Sequence, residues 1–167
     1  KIAYGVLEAG RALLLVANKW DLVEERDRRF KELTEVSRSM AGATVVRTSA
    51  VTGLGAERVP ELLLDVHERW SRRVPTSSVN RVLEEAQAVR PLPRGVGPLR
   101  YATQVGTGPP TFVLFGGSRP PDPGYRRFLE NRLRAAFELG GVPIVLRIRS
   151  RRPRGPGEGT RRRPMGR

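Results

Sequence analysis

The chain has 167 residues, room for one domain or two small ones, with 31 basic and 17 acidic side chains, a net charge of +14, no cysteine and one histidine. These counts exclude a disulfide framework and any Cys- or His-rich metal centre. The longest apolar run, Ala12 to Ala17, is far too short to cross a bilayer, no signal peptide is visible, and a cytoplasmic protein without a membrane partner is expected.

The chain opens on Lys1 inside a helical pattern, so it reads as a fragment of a longer protein. Ile2 to Ala9 reads as a helix end, with Gly10 as its C-cap. Ala12 to Ala17 is a continuous apolar strand, the pattern of a strand covered on both faces. Asn18-Lys19-Trp20-Asp21 is the loop after it. From about Glu24 to Met40, Phe30, Leu33, Val36 and Met40 recur at helical spacing, and Gly42 ends the helix. Ala43 to Thr48 is a second short strand, and Ser49 to Gly55 a loop. A helix follows from about Val59 to Arg72, with Val59, Leu62, Leu63, Val66 and Trp70 as its stripe and Pro60 in its first turn. Strand, helix, strand, helix predicts an α/β unit, a parallel sheet with crossover helices.

Val74 to Ser78 reads as a hinge, and the composition changes there. Residues 1–70 carry 11 basic and 11 acidic side chains, whereas residues 71–167 carry 20 and 6, so the whole excess of +14 lies in the second half. Of the basic residues 28 are Arg and 3 are Lys. GC-rich codons explain most of that bias, but not the confinement of the charge to one half. Such a field favours a polyanion, and Arg suits bidentate phosphate contacts. After the hinge, Ser78 reads as the N-cap of a helix with Val79, Val82, Leu83 and Ala86 on one face. Leu99, Tyr101, Thr103 and Val105 alternate with Arg100, Ala102 and Gln104 as a strand. Gly106 to Pro110 turns the chain and Thr111 to Phe115 returns it, a hairpin. Gly124 to Leu139 is an amphipathic helix, stopped by Gly140-Gly141. Ile144 to Arg149 is a last strand with Ile144, Leu146 and Ile148 inward. The second half is therefore α-β-β-α-β. The Gly/Pro/Arg-rich stretch 151–167 cannot bury a core and is expected to be disordered.

Asn18, Lys19 and Asp21 carry the chemistry of the first half. A carboxylate accepts two parallel hydrogen bonds from guanine, at N1–H and the 2-amino group. Adenine offers an acceptor at N1 and no 2-amino group, so it leaves a buried charge unpaired. Asn18 can bond the base edge and tie neighbouring loops together. Lys19 can lay its stem over the base or sugar, while Trp20 packs on the domain. Ser49-Ala50 ends the next strand, and two strands of one parallel sheet bring Asp21 and Ala50 to the same carboxyl edge, where ligands bind. The phosphate half of such a site is absent from this sequence. Gly5 and Gly10 have the spacing of a phosphate loop but are followed by Arg11-Ala12 and precede a strand. No Asp-x-x-Gly occurs. In the second half Arg126, Arg127 and Arg134 on the helix, and Arg147, Arg149, Arg151 and Arg152 on and after the last strand, are the candidate RNA-binding residues. Each reads equally as a solvated helix face or as charge protecting an edge strand. Tyr101, Phe112 and Phe115 read as core, and His67 as helix surface.

The ordered set of Ala-Asn-Lys-Trp-Asp-Leu, Thr-Ser-Ala-Val-Thr-Gly-Leu-Gly, and then Leu99-Arg100-Tyr101-Ala102-Thr103-Gln104, Pro109 to Phe115 and Tyr125-Arg126-Arg127-Phe128-Leu129 closely resembles the C-terminal part of the Der (EngA) family. These are bacterial GTPases with two tandem G domains and a KH-like domain. The resemblance implies residues 1–73 as the end of the second, P-loop-type G domain, 74–152 as the KH-like domain, and 153–167 as a basic tail. It implies a GTP-hydrolysing parent acting in late assembly of the large ribosomal subunit. Asn18, Lys19 and Asp21, supported by Ser49 and Ala50, would recognise the guanine of GTP or GDP. Mg²⁺ is expected of the parent, with no ligand for it here. Ribosomal RNA, the large subunit and the N-terminal G domains of the same protein are the implied partners. The family's KH-like domain also lacks the Gly-x-x-Gly clamp of RNA-binding KH domains, and no two glycines here stand three apart. Two other readings stay open: the KH-like half as an intramolecular docking block for the G domains, and a general nucleic-acid binder driven by the Arg-rich tail.

Overall fold

A computed structural model describes residues 1–149. Arg151, Arg152 and the tail 153–167 lie outside the described residues. The chain forms two sheets, each with its own helices.

The first unit contains α1 (Ile2–Glu8), β1 (Leu14–Ala17), α2 (Arg26–Ser39), β2 (Thr44–Arg47) and α3 (Val59–Ser71). Strands β1 and β2 pair in parallel, Leu14 with Thr44 through Ala17 with Arg47. Gly10 closes α1 at φ +73°, where the Gly10 N–H donates to Leu7 O and the Arg11 N–H to Val6 O, a Schellman ending. β1 is shorter than its apolar run because the Leu13 N–H leaves the ladder and donates to Gly141 O at 2.8 Å. Val16 is exposed rather than covered.

The second unit contains α4 (Thr76–Val89), β3 (Leu99–Gly106), β4 (Thr111–Gly116), α5 (Pro123–Ala136) and β5 (Val145–Arg149), in the spatial order β3-β4-β5. β4 runs antiparallel to β3 and parallel to β5. Helices α4 and α5 pack on one face of this sheet around Val79, Leu83, Ala86, Phe112, Leu114, Tyr125, Leu129 and Leu146. Asp122 caps α5, accepting from the Tyr125 N–H at 2.9 Å.

The free edge of β3 is satisfied by side chains instead of by a strand. Asn80 exchanges both of its amide bonds with Ala102, at 2.8 and 3.0 Å, and Gln87 does the same with Leu99, at 2.9 and 3.1 Å. Two amides one helix face apart thus imitate a neighbouring backbone and close an edge otherwise open to association.

Three sequence expectations change. The stretch 74–78 is no hinge: Val74 is buried, and Thr76 to Ser78 form the first turn of α4. Ser78 is therefore inside the helix, and Pro75 stands at its N-cap. In β3 the alternation breaks, because the pairing skips between Leu99 and Tyr101. A bulge reverses which residues face the core, so Leu99, Ala102 and Gln104 are buried while Tyr101 and Val105 are exposed. Phe112 is core as expected, but Tyr101 pairs with the half-buried Phe115 on the outer face, with ring centroids 5.8 Å apart.

The two units meet in a bonded seam. The Leu13 N–H donates to Gly141 O, the Gly141 N–H to Ala41 O, and the Gly108 N–H to Trp70 O. Within the first unit, the Trp70 indole donates to Gly10 O at 2.8 Å. Gln104 is buried and holds the linker: it accepts from the Val74 N–H at 2.7 Å and donates to Arg72 O and Gly106 O at 2.9 and 3.0 Å.

Candidate functional site

The carboxyl ends of β1 and β2 are adjacent because the strands are parallel neighbours, and the loops leaving them are laced together. The Thr48 N–H donates to Ala17 O at 2.9 Å and the Trp20 N–H to Thr48 O at 3.0 Å, extending the ladder past both strands. Asn18 bridges the loops: its Oδ1 accepts from the Ala50 N–H at 3.3 Å and from the Thr48 hydroxyl at 3.4 Å. Asn18 and Ala50 are thus brought into contact.

Lys19 takes the left-handed conformation at φ 60°, which turns the chain sharply into a single 3-10 turn, Trp20–Leu22. Its side chain is exposed. Trp20 is turned inward, edge-on to Phe30 at 6.2 Å, with the Arg47 guanidinium 4.4 Å from the Phe30 ring. That leaves Asp21 on the site side of the turn. Arg26 pins the turn, donating to Asp21 O at 3.2 Å and to Val23 O at 3.3 Å.

The Asp21 Oδ1 atom is shielded from water and has no hydrogen-bond partner among the described residues. A buried carboxylate oxygen left unsatisfied is costly. The second loop is rigid beneath it. Ser49 is fully buried, its hydroxyl accepts from the Thr52 N–H at 3.2 Å, and its amide donates to Leu54 O at 2.9 Å. Gly55 closes the loop at φ +66°, where any Cβ would collide with Arg47 O. Thr48 and Arg26 belong to this framework and were missed from the sequence. Thr48 looked like the end of a strand, and Arg26 one charge among several.

The residues fit the base of a guanine nucleotide: a carboxylate, an amide side chain and an exposed cationic stem, all at one sheet edge. Among the described residues, nothing comparable at this sheet edge is offered to the phosphates of the nucleotide or to Mg²⁺. No cluster of three metal-ligating side chains occurs among the described residues. No helix among them is long and apolar enough to cross a membrane.

The candidate RNA-binding arginines fall into two groups. Arg126, Arg127 and Arg134 line one cleft in the seam, together with Arg38 from α2. Arg147 and Arg149 are exposed on the outer face of β5, opposite Val113 and Phe115 of β4. Arg126 also donates to Leu146 O at 2.7 Å, covering the free edge of β5. Arg38 carried no signal in the sequence, where it reads as the last charge on a solvated helix.

Residues 73–149 match a family model described as the KH-domain-like C-terminal domain of EngA bacterial GTPase enzymes. Over longer stretches the chain is similar to proteins named GTPase Der. The relative from Leuconostoc mesenteroides is 39% identical over 153 residues, covering 87% of this chain and 35% of that protein. The one from Ruegeria pomeroyi is 38% identical over 165 residues, 94% and 34%. The one from Caldanaerobacter subterraneus is 40% identical over 161 residues, 90% and 36%. The chain spans about a third of the length of these relatives.

Proposed function

Since this chain belongs to the Der (EngA) family of GTPases, we propose that it forms the guanine-recognising and RNA-contacting C-terminal part of a GTP hydrolase acting in late assembly of the large ribosomal subunit. The observation that carries the nucleotide half is the bridge from the Ala50 N–H to Asn18 Oδ1, which joins the loop holding Asp21 to the Ser49-Ala50 loop at one sheet edge. Asp21 would accept from guanine N1–H and the 2-amino group. Asn18, Ala50 and Ser49 would set the opposite side of the base, and Lys19 would cover it. The phosphates and Mg²⁺ of GTP would be held by other parts of the parent enzyme, so this segment selects the nucleotide and does not cut it.

The RNA half is supported by the confinement of positive charge to residues 71–167 and by the convergence of Arg126, Arg127 and Arg134. A docking role for the KH-like unit is favoured by a separate observation, its backbone bonds to Leu13, Ala41 and Trp70 at the end of β1 remote from the guanine loop. The two roles are compatible, since a unit fixed to the G domain by one surface can offer another to RNA.

The substitution Asp21→Asn in the parent GTPase tests the nucleotide half. An amide can still accept from guanine N1–H but turns its own N–H toward the 2-amino donor, so GTP should be weakened by about 100-fold or more, while xanthosine triphosphate, with a carbonyl at that position, gains. Retention of GTP preference would remove Asp21 from base recognition.

A further inference from the structure

The cleft that collects Arg38, Arg126, Arg127 and Arg134 encloses about 690 Å³ between the end of α2 and α1 on one wall and α5 on the other. It therefore belongs to both units. Its cations outnumber their acceptors. Glu130 is the only carboxylate lining it, and Glu130 forms no ion pair among the described residues.

Each arginine keeps donors to spare. Arg38 pairs with Glu35 at 2.8 Å, but that pair is exposed and weakly held. Arg126 spends one nitrogen on Leu146 O. Arg134 donates to Asn131 Oδ1 at 3.0 Å, while its Nε is shielded from water and has no acceptor among the described residues. Burial draws the Arg134 guanidinium below its ordinary pKa, Glu130 raises it, and Arg127 lowers it further. Burial likewise pushes the Glu130 carboxyl up, against the pull of Arg126, Arg134 and Arg127. The site is short of negative charge.

The spacing identifies the ligand. From Arg126 to Arg134 is eight residues of helix, about 12 Å along the axis. One small anion cannot satisfy both ends, whereas a chain of anions can. All four cations are arginines, whose planar forks match phosphate oxygens two at a time.

We infer that this seam cleft binds successive phosphate groups of an RNA strand, with Arg38 of the first unit as one of the ligands. The inference rests on the reading of the second unit as an RNA-contacting module, and adds to it a location and a residue from outside that module. Because the wall is shared, RNA bound here also clamps the two units to each other.

The test uses the whole 167-residue chain and a fluorescein-labelled 12-nucleotide single-stranded RNA, with anisotropy measured across a salt series. One phosphate contact on a single strand contributes about 0.7 to the salt slope, or about fivefold in affinity at 0.1 M salt. Arg38→Gln and Arg134→Gln should each lose about that much affinity and slope. Glu130→Gln should bind more tightly than the unmodified chain, a gain that a damaged fold cannot imitate. If the unmodified chain binds RNA but Arg38→Gln and Glu130→Gln both bind equally well, the cleft is refuted and the RNA-contacting reading stands. If the unmodified chain binds no RNA, the reading falls and the cleft with it. If a polyglutamate peptide of equal charge displaces the RNA as well as unlabelled RNA does, the site is one for acidic peptides and the phosphate assignment is wrong.

Discussion

Gln104→Met probes the joint between the two units most directly. Methionine nearly matches glutamine in length and volume, so the substitution removes hydrogen bonds without opening a cavity. Three groups lose their partner: the Val74 N–H, Arg72 O and Gly106 O, now bonded at 2.7, 2.9 and 3.0 Å. Val74 and Gln104 are both buried, so water cannot replace the bond to the Val74 amide. An unsatisfied buried group costs about 1–3 kcal/mol. The two carbonyls, nearer the surface, lose less. A total of about 2–4 kcal/mol follows. For a chain of this size that lowers Tm by roughly 5–15 °C, at about 2–4 °C per kcal/mol. The assay is thermal unfolding followed by circular dichroism, with urea titration to confirm that the slope is unchanged. Gln104→Glu sharpens it. Its oxygen can still accept from the Val74 N–H, but above the carboxylate pKa it faces Arg72 O and Gly106 O with no proton to donate. Its deficit should shrink in acid, when the protonated carboxyl donates once more. A Tm within 1–2 °C of the unmodified chain for Gln104→Met, well short of the expected loss, would show that the seam is held without this side chain.

Two further outcomes are expected. Glu130 is pushed above the ordinary carboxylate range by burial, with Arg126, Arg134 and Arg127 pulling the other way. The native state thus holds that proton more tightly than the unfolded chain, and ionised Glu130 costs stability at neutral pH. Glu130→Gln should be the more stable protein at pH 7, and the advantage should vanish as pH falls below about 4, under the unfolded value; pH-dependent urea titrations check the sign. Asp122→Ala removes the cap on the Tyr125 N–H and should cost about 1 kcal/mol, a fall of about 2–4 °C in Tm measured by calorimetry.

Much of this architecture is legible in the residues because local and long-range signals agree. The apolar stripe of α4 is buried where periodicity put it, and Gly10 ends α1 by the mechanism its identity suggests. The failures have local causes. Leu99, Tyr101, Thr103 and Val105 form a regular alternation, yet a bulge after Leu99 exposes Tyr101. Hydropathy does not register one unpaired residue. Val74 to Ser78 has hinge composition, but Pro75 already has the backbone that precedes a helix, and Gln104, thirty residues on, locks it. The meeting of Asn18 and Ala50 was readable because their loops leave neighbouring strands of one parallel sheet. The arginine cleft was only half readable. Arg126, Arg127 and Arg134 share one helix, but Arg38 comes from α2, on the other wall of the cleft.

The positions of the two functional regions constrain how one can influence the other. The guanine loop leaves the carboxyl end of β1, whereas the KH-like unit is bonded to the residue before its amino end, through Leu13 and Gly141. Among the described residues, no side chain is hydrogen-bonded from one to the other. α2 is the physical link: Arg26 in its first turn pins the backbone of Asp21, and Arg38 in its last turn stands in the arginine cleft. Fourteen residues of helix span about 21 Å and move as a body more readily than they bend. This helix is therefore a physical path by which a change at the Asp21 turn could reach Arg38, and any coupling along it would be reciprocal.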